Sequence, residues 1–420
     1  MIDISAITEL PFLKLEQMAW YHFLFYGSMF ILILRLVVFC SLSFMYTLLK
    51  IKDDIIFFIY KILKKEEETF IPFSIIVPAY NEEVTISSCI ESMLNLDYPS
   101  YEVIVVDDGS KDKTFNEASK FLTNGVQVIR QENTGKPGAI NTGIKKASGD
   151  IIITVDADSR LHPSALKWIS RRFSKNQRLG AVAGNVKIDR SRSVLKILQS
   201  LEYTTSINLG RKSQSLFHCV MIVPGAIAAL KTEALHKAGY FSSDTFAEDF
   251  DITMRILQAG YHVEYESRAV AFTQAPESIE DLMKQRRRWN RGITQVLAKY
   301  QCMYMNPKYG LAGLVGVPYM WFEQGSCILN FFLLSMLITS AFINLQITSL
   351  TIGILIYWGL TILVSIFAEL MDPMPSIREI IISPLYLPYN IFLDVISMMA
   401  FIEEILNITM KWEKPKREEM

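Results

Sequence analysis

Along this chain the apolar residues follow two different rhythms. Between about residues 67 and 306, short apolar runs alternate with amphipathic stretches, as expected of strands and helices in an α/β sheet. Ser74-Ile75-Ile76-Val77 reads as a first strand, with a helix from about Glu83. Glu102-Val103-Ile104-Val105-Val106, Val126-Gln127-Val128-Ile129 and Ile151-Ile152-Ile153-Thr154-Val155 read as further strands. Such near-continuous β-branched runs suit strands covered on both faces. On either side the rhythm changes. Residues 21–49 form an apolar run broken by His22 and Arg35, and from Gln324 to Ala368 there is no Asp, Glu, Lys or Arg. A spanning helix needs roughly 20 apolar residues. These runs therefore predict a span at about 21–49 and two more at about 324–343 and 350–368, with a turn at Asn344 to Ser349. A fourth apolar segment, about 384–402, carries Pro388 and Asp394. It is expected to lie at the interface or re-enter, with a fourth span as the alternative. The chain thus divides into an N-terminal anchor (1–66), a water-soluble middle (67–306) and a C-terminal membrane region (307–420).

Composition and charge narrow the partners. Hydrophobic residues make up 50% of the chain, too many for an ordinary soluble protein, so the bilayer is the first expected partner. Lys plus Arg number 42 against 43 Asp plus Glu, a balance that indicates no nucleic acid. Lys50, Lys52, Lys61, Lys64 and Lys65 follow the first apolar run. By the positive-inside rule they place the middle block in the cytoplasm of a multi-pass plasma-membrane protein. The basic tail, Lys411, Lys414, Lys416 and Arg417, suits a cytoplasmic end after three spans. Arg35 is costly in lipid, so it should line a wet pathway or pair with Glu323 or Glu369. The cysteines show no CxxC spacing and read as free thiols. The histidines show no ligand spacing, which sets aside histidine-bound metal chemistry.

Polar clusters follow three of the strands: Tyr80-Asn81-Glu82, Asp107-Asp108-Gly109-Ser110 and Asp156-Ala157-Asp158. Open α/β sheets bind ligands at the carboxyl ends of their strands, so these clusters point to one shared site. Asp156 and Asp158 offer hard oxygens at a spacing that suits Mg²⁺ or Mn²⁺, or else form a solvated turn. Asp107 and Asp108 can accept hydrogen bonds from a ribose and uracil, with Tyr80 stacking on the base and Glu82 at its polar edge. Tight-turn chemistry is the plainer account. Lys136 lies in the glycine-rich approach to a helix, where a cation and backbone N–H groups meet phosphate. The GxxxxGK[ST] pattern is absent. Glu248 and Asp249 open a helix, as dipole partners or with Asp249 as a general base. Gln285-Arg286-Arg287-Arg288-Trp289 is either a cationic surface helix or a clamp on a diphosphate leaving group.

Taken together, four motifs resemble the processive branch of glycosyltransferase family 2: Asp107-Asp108, the pair Asp156 and Asp158, Glu248-Asp249, and QxxRW at Gln285, Arg288 and Trp289. That resemblance, nearest in layout to the poly-N-acetylglucosamine synthase group, implies an α/β GT-A (Rossmann-like) domain flanked by membrane helices. It implies a UDP-sugar donor, best UDP-N-acetylglucosamine, a growing β-linked polysaccharide as acceptor, and inversion in one displacement. It also allows a small accessory membrane subunit. The resemblance further implies Asp107 and Asp108 at the nucleotide, Asp158 with Asp156 at the metal, and Asp249 as base. Gln285, Arg288 and Trp289 would close over diphosphate and acceptor, and Val223-Pro224-Gly225-Ala226 would hold the acceptor end. Ala247 stands where many synthases have Thr. The competing expectation is transfer of one sugar to a polyprenyl phosphate, against which QxxRW argues.

Overall fold

A computed structural model describes residues 19–64, 70–189, 193–342 and 347–409. Lys65, the turn residues Asn344 to Gln346 and the basic tail from Lys411 lie outside the described residues. Eight strands form one mixed sheet in the order β3-β2-β1-β4-β7-β6-β8-β5. They are β1 (Phe73–Ala79), β2 (Tyr101–Asp107), β3 (Gln127–Arg130), β4 (Ile151–Thr154), β5 (Ser159–Leu161), β6 (Leu179–Ile188), β7 (Ala228–Lys231) and β8 (His262–Thr273). β1 pairs in parallel with both β2 and β4, while β7 runs antiparallel to β4 and β6. Ile75, Ile76, Val77, Ile104, Val105 and Ile153 have no exposed surface. Burial of each such side chain contributes about 1.5–3 kcal/mol. β3 is less buried than the pattern suggested because it forms an edge of the sheet. Ser159 to Leu161, directly after Asp156 and Asp158, pairs with β8.

The helices are α1 (Ala19–Lys64), α2 (Ile86–Leu94), α3 (Thr114–Ser119), α4 (Lys136–Ile144), α5 (Ala165–Lys175), α6 (Val194–Glu202) and α7 (Leu209–Ser215). They continue as α8 (Thr232–Ala238), α9 (Glu248–Gln258), α10 (Ile279–Lys299), α11 (Val317–Phe342), α12 (Ile347–Leu370), α13 (Ile377–Ile382) and α14 (Tyr386–Ile405). A π-helical turn, Tyr203–Asn208, joins α6 to α7.

Among the described residues, Phe23–Ile56, Thr351–Leu370 and Ile377–Ile405 are long and apolar enough to cross a membrane. The last of these contains the segment expected at the interface, so length and composition admit it as a span. Phe23, Phe30 and Leu363 stand exposed on these helices, the surface that lipid would cover. Arg35 pairs with Glu323, not with Glu369, whose carboxylate accepts from Ser376 N at 2.9 Å. The far end of α1 docks on the sheet. Tyr46 donates to Tyr265 O at 2.8 Å, Lys50 pairs with Glu266, and Asp54 meets Arg171 at 2.8 Å.

Candidate active site

The order of strands reverses between β1 and β4, and a crevice opens at their carboxyl ends. The loops after β1 and β2 are laced together there. Asn81, in the left-handed region at φ 54°, donates its backbone N–H to Ser110 Oγ at 2.9 Å and accepts from Lys111 N at 2.8 Å. Glu82 is buried and accepts from Thr85 Oγ1 at 2.9 Å. Asp107 has no exposed surface and meets Arg130 Nε at 3.2 Å. Asp108 Oδ1 accepts from Gln131 Nε2 at 2.7 Å and Thr134 N at 2.9 Å, which ties the loop before Lys136 to β2. Gly109 makes this loop possible. Its φ is 73°, and a Cβ there would lie 3.0 Å from Asn133 N.

Across the crevice, carboxylates from β4 and α9 converge on one ammonium. Lys136 Nζ lies 2.7 Å from Asp156 Oδ1 and 2.9 Å from Glu248 Oε1. Burial opposes the charge on Lys136, yet Asp156, Glu248 and Asp249 outweigh it and hold its pKa above the usual lysine range. Glu248 is lowered in turn, since Lys136 and Arg288 overcome the effect of its burial. Asp249 goes the other way. Burial, then the adjacent Glu248, push it up to about 6. The loop with Gly225 presses against this cluster: a Cβ at Gly225 would fall 2.7 Å from Lys136 Nζ and 3.2 Å from both Asp156 carboxylate oxygens. Thr253 anchors that loop to α9, taking the Val223 N–H at 3.1 Å while donating to Asp249 O at 2.6 Å.

Helix α10 crosses the start of α9 at Gly292, where a Cβ would lie 2.8 Å from that of Ala247. This close approach brings Gln285, Arg288 and Trp289 to the wall of a cavity of about 800 Å³, together with Asp156, Asp158, Lys136, Gly225, Glu248 and Asp249. Tyr80, Glu82, Asp107 and Asp108 stand outside that wall, at the ends of β1 and β2. The arginines of α10 divide by role. Arg286 forms a two-pronged pair with Glu202 at 3.0 and 2.8 Å and stacks over Trp289 at 4.3 Å. Arg287 binds Glu403 at 3.2 Å, and Arg291 binds Glu404 at 2.7 Å. Arg288 faces the cavity, within electrostatic reach of Glu248.

The family model for glycosyl transferase family 2 matches residues 74–239, the stretch that carries β1 to β7 and the first three polar clusters. Residues 74–239 are thus similar to family 2 glycosyltransferase domains. Poly-beta-1,6-N-acetyl-D-glucosamine synthase of Staphylococcus epidermidis is 34% identical over 240 residues, 57% of this chain and 58% of that one. Its counterpart from Staphylococcus aureus strain COL is 34% identical over 226 residues, covering 53% and 55%. The chain therefore spans a little over half the length of these relatives. In fold, it resembles the mannosyltransferase PcManGT from Pyrobaculum calidifontis, solved with GDP-Man and Mn²⁺, with a TM-score of 0.59 at 20% identity over 89% of this chain and 99% of that one. The architecture is a GT-A-like mixed sheet with flanking helices.

The donor chemistry of the wall fits a hard divalent cation such as Mg²⁺ or Mn²⁺. Asp156 and Asp158 supply carboxylate oxygens on one short loop, and Asp158 is 6% exposed. Several residues of consequence escaped the sequence. Glu202 carries no motif, and its value comes from a partner 84 positions away. Asp251, in the same first turn of α9 as Glu248 and Asp249, points elsewhere: it is buried against Arg255, Lys299 at 2.7 Å and Tyr300 at 3.0 Å. The histidine reading also changes. His218 and His262 stack 4.7 Å apart, and their donors lie within 4.8 Å of one another and of Glu264. Strand pairing creates this cluster, which spacing had set aside. Glu264 is already held there by His218 at 2.8 Å and Arg172 at 3.1 Å.

Proposed function

We propose that this protein is a processive polysaccharide synthase. It transfers sugar from a UDP-sugar, best UDP-N-acetylglucosamine, to a growing β-linked chain and passes that chain into the membrane. One observation carries the reading. The cavity that holds Asp156, Glu248 and Asp249 continues between α1, α11, α12 and α14, where Arg35, Tyr319, Tyr357 and Asp394 line it. A path from a catalytic carboxylate into apolar helices suits a polymer that leaves as it grows, and the names of the staphylococcal relatives support the same product class.

The reaction follows from the residues. An acceptor hydroxyl oxygen attacks the anomeric carbon from the face opposite the phosphate. The carbon–oxygen bond to the diphosphate breaks, and UDP leaves with the bonding electron pair. Asp249 takes the hydroxyl proton, which its raised pKa favours. Arg288 offsets the charge that develops on the diphosphate. Lys136 keeps Glu248 ionised and braces Asp156. A divalent ion bound at Asp156 and Asp158 would neutralise diphosphate oxygens. Trp289, held between Arg286 and Tyr203, offers a face for an acceptor sugar.

The test is UDP release by purified full-length protein in detergent, with Mg²⁺ or Mn²⁺ and a panel of UDP-sugars. Turnover with UDP-N-acetylglucosamine and a high-mass product is the expected result. Turnover only on addition of polyprenyl phosphate would transfer the protein to the lipid-loading class. Asp158→Ala should lose the metal dependence of UDP binding; a variant that binds UDP like the wild type, with and without Mn²⁺, would remove the metal assignment.

A further inference from the structure

Helix α7 holds a buried arginine with no ion pair to a neighbour among the described residues. Arg211 is 8% exposed, its Nη1 has no hydrogen-bond partner, and no ion pair reaches it among the described residues. A buried, unpaired guanidinium is costly, and a partner is normally built beside it. The other faces of α7 are committed. Leu209 O accepts from Ser43 Oγ of α1 at 2.8 Å, and Lys212 Nζ donates to Met371 O at 2.7 Å. Arg211 and its neighbours Gly210 and Gln214 instead line the large cavity. At Gly210, buried in the fold, an added Cβ would meet nothing within 4 Å, so the space before this face is open. The π-helical turn Tyr203–Asn208 immediately precedes α7; such turns often sit where a side chain is re-aimed for function. Arg211 shares that cavity with Asp249, and the two lie within electrostatic reach of one another.

The other cations on this wall have anionic partners or a role already. Lys136 bridges Asp156 and Glu248, Arg286 holds Glu202, Arg35 holds Glu323, and Arg288 faces the diphosphate region. We infer that Arg211 is a specificity residue of the acceptor subsite, donating its free N–H groups to the acyl carbonyl oxygen of an N-acylated sugar in the growing chain. The inference rests on the synthase reading above and deepens it. A hydroxyl is common to every hexose, whereas an amide carbonyl oxygen is an acceptor only, to which a guanidinium N–H can donate.

The experiment compares β-linked oligosaccharides of N-acetylglucosamine and of glucose, on the full-length protein in detergent. Wild type should favour the N-acetylated acceptor in kcat/KM, and Arg211→Gln should lower that preference roughly ten- to hundredfold, the value of one hydrogen bond to a charged group. The KM for the UDP-sugar should be unchanged. Arg211→Lys, which keeps charge but loses the fork, should fall between. Without acceptor, Arg211→Gln should melt no lower than wild type; a purely structural arginine would lose stability. Arg211→Gln that keeps the full preference overturns the inference. Acceptor binding, read as the rise in melting temperature on adding each oligosaccharide, tests Arg211 even if UDP-N-acetylglucosamine proves not to be the donor. A rise with the N-acetylated oligomer that Arg211→Lys reduces supports the inference. Equal rises with both oligomers overturn it, whereas absent turnover with that donor counts against the synthase reading alone.

Discussion

Asp249 and Gly225 show how much a single position carries. Asp249 is pushed up to about 6 by burial and by Glu248, and a base must be deprotonated to work. The rate should therefore be full well above pH 6 and fall as pH drops through about 6, measured as UDP release against pH. Asp249→Asn should lower turnover by roughly 10²–10⁴ and abolish that acid limb, while UDP binding persists. Full activity in this variant would remove Asp249 from the role of base. Gly225 acts through what it lacks. Gly225→Ala sets a methyl 2.7 Å from Lys136 Nζ, so the ammonium must leave its bridge between Asp156 and Glu248. Turnover should fall by roughly tenfold to a hundredfold, from misplacement of the reacting groups. The melting temperature should barely change, because the displaced group is the end of a flexible side chain.

Among elements, α10 does most to join the sheet to the membrane helices. Arg286 reaches back to Glu202 at the end of α6, and Tyr389 of α14 donates to the same carboxylate at 2.7 Å. Arg287 and Arg291 hold the far end of α14 through Glu403 and Glu404. Removal of one partner from a buried pair costs about 3–5 kcal/mol, because the remaining charge is left uncompensated. Glu202→Ala should accordingly lower the unfolding midpoint markedly and loosen Arg286 from Trp289. Glu202→Leu with Arg286→Met should recover most of the midpoint, since it removes both charges together. A Glu202→Ala protein as stable as wild type would show that this pair is not what fastens α6 to α10.

At the scale of the whole molecule, the cavity is the feature on which the proposed export of the product rests. Its wall includes Asp249, Gly210, Arg35 and Tyr357. A bulky side chain at Gly210 would enter open space and narrow the route without touching Asp249 or Lys136. Gly210→Trp should still release UDP in early transfers yet yield short products, as read by product size on gels. Long polymer from this variant would place the route elsewhere.

The division between what is local and what is long-range follows the physics. Four strands of the sheet, the clusters at their ends and the long apolar helices were all legible in the chain. Each rests on periodicity, β-branching or turn chemistry acting over a few neighbouring residues, and a motif such as Asp156-Ala157-Asp158 is local by definition. Tertiary structure decided which charges answer one another. Four arginines near QxxRW look alike in sequence, yet Arg286, Arg287 and Arg291 are tied to Glu202, Glu403 and Glu404, while Arg288 lines the cavity within electrostatic reach of Glu248. Glu202 matters because packing sets it against Arg286, and Arg211 because packing leaves its Nη1 without a hydrogen-bond partner. His218 and His262 become neighbours only when β8 forms beside the segment that carries His218. Pairings across tens or hundreds of positions depend on how whole elements dock, and no local pattern in the chain encodes that.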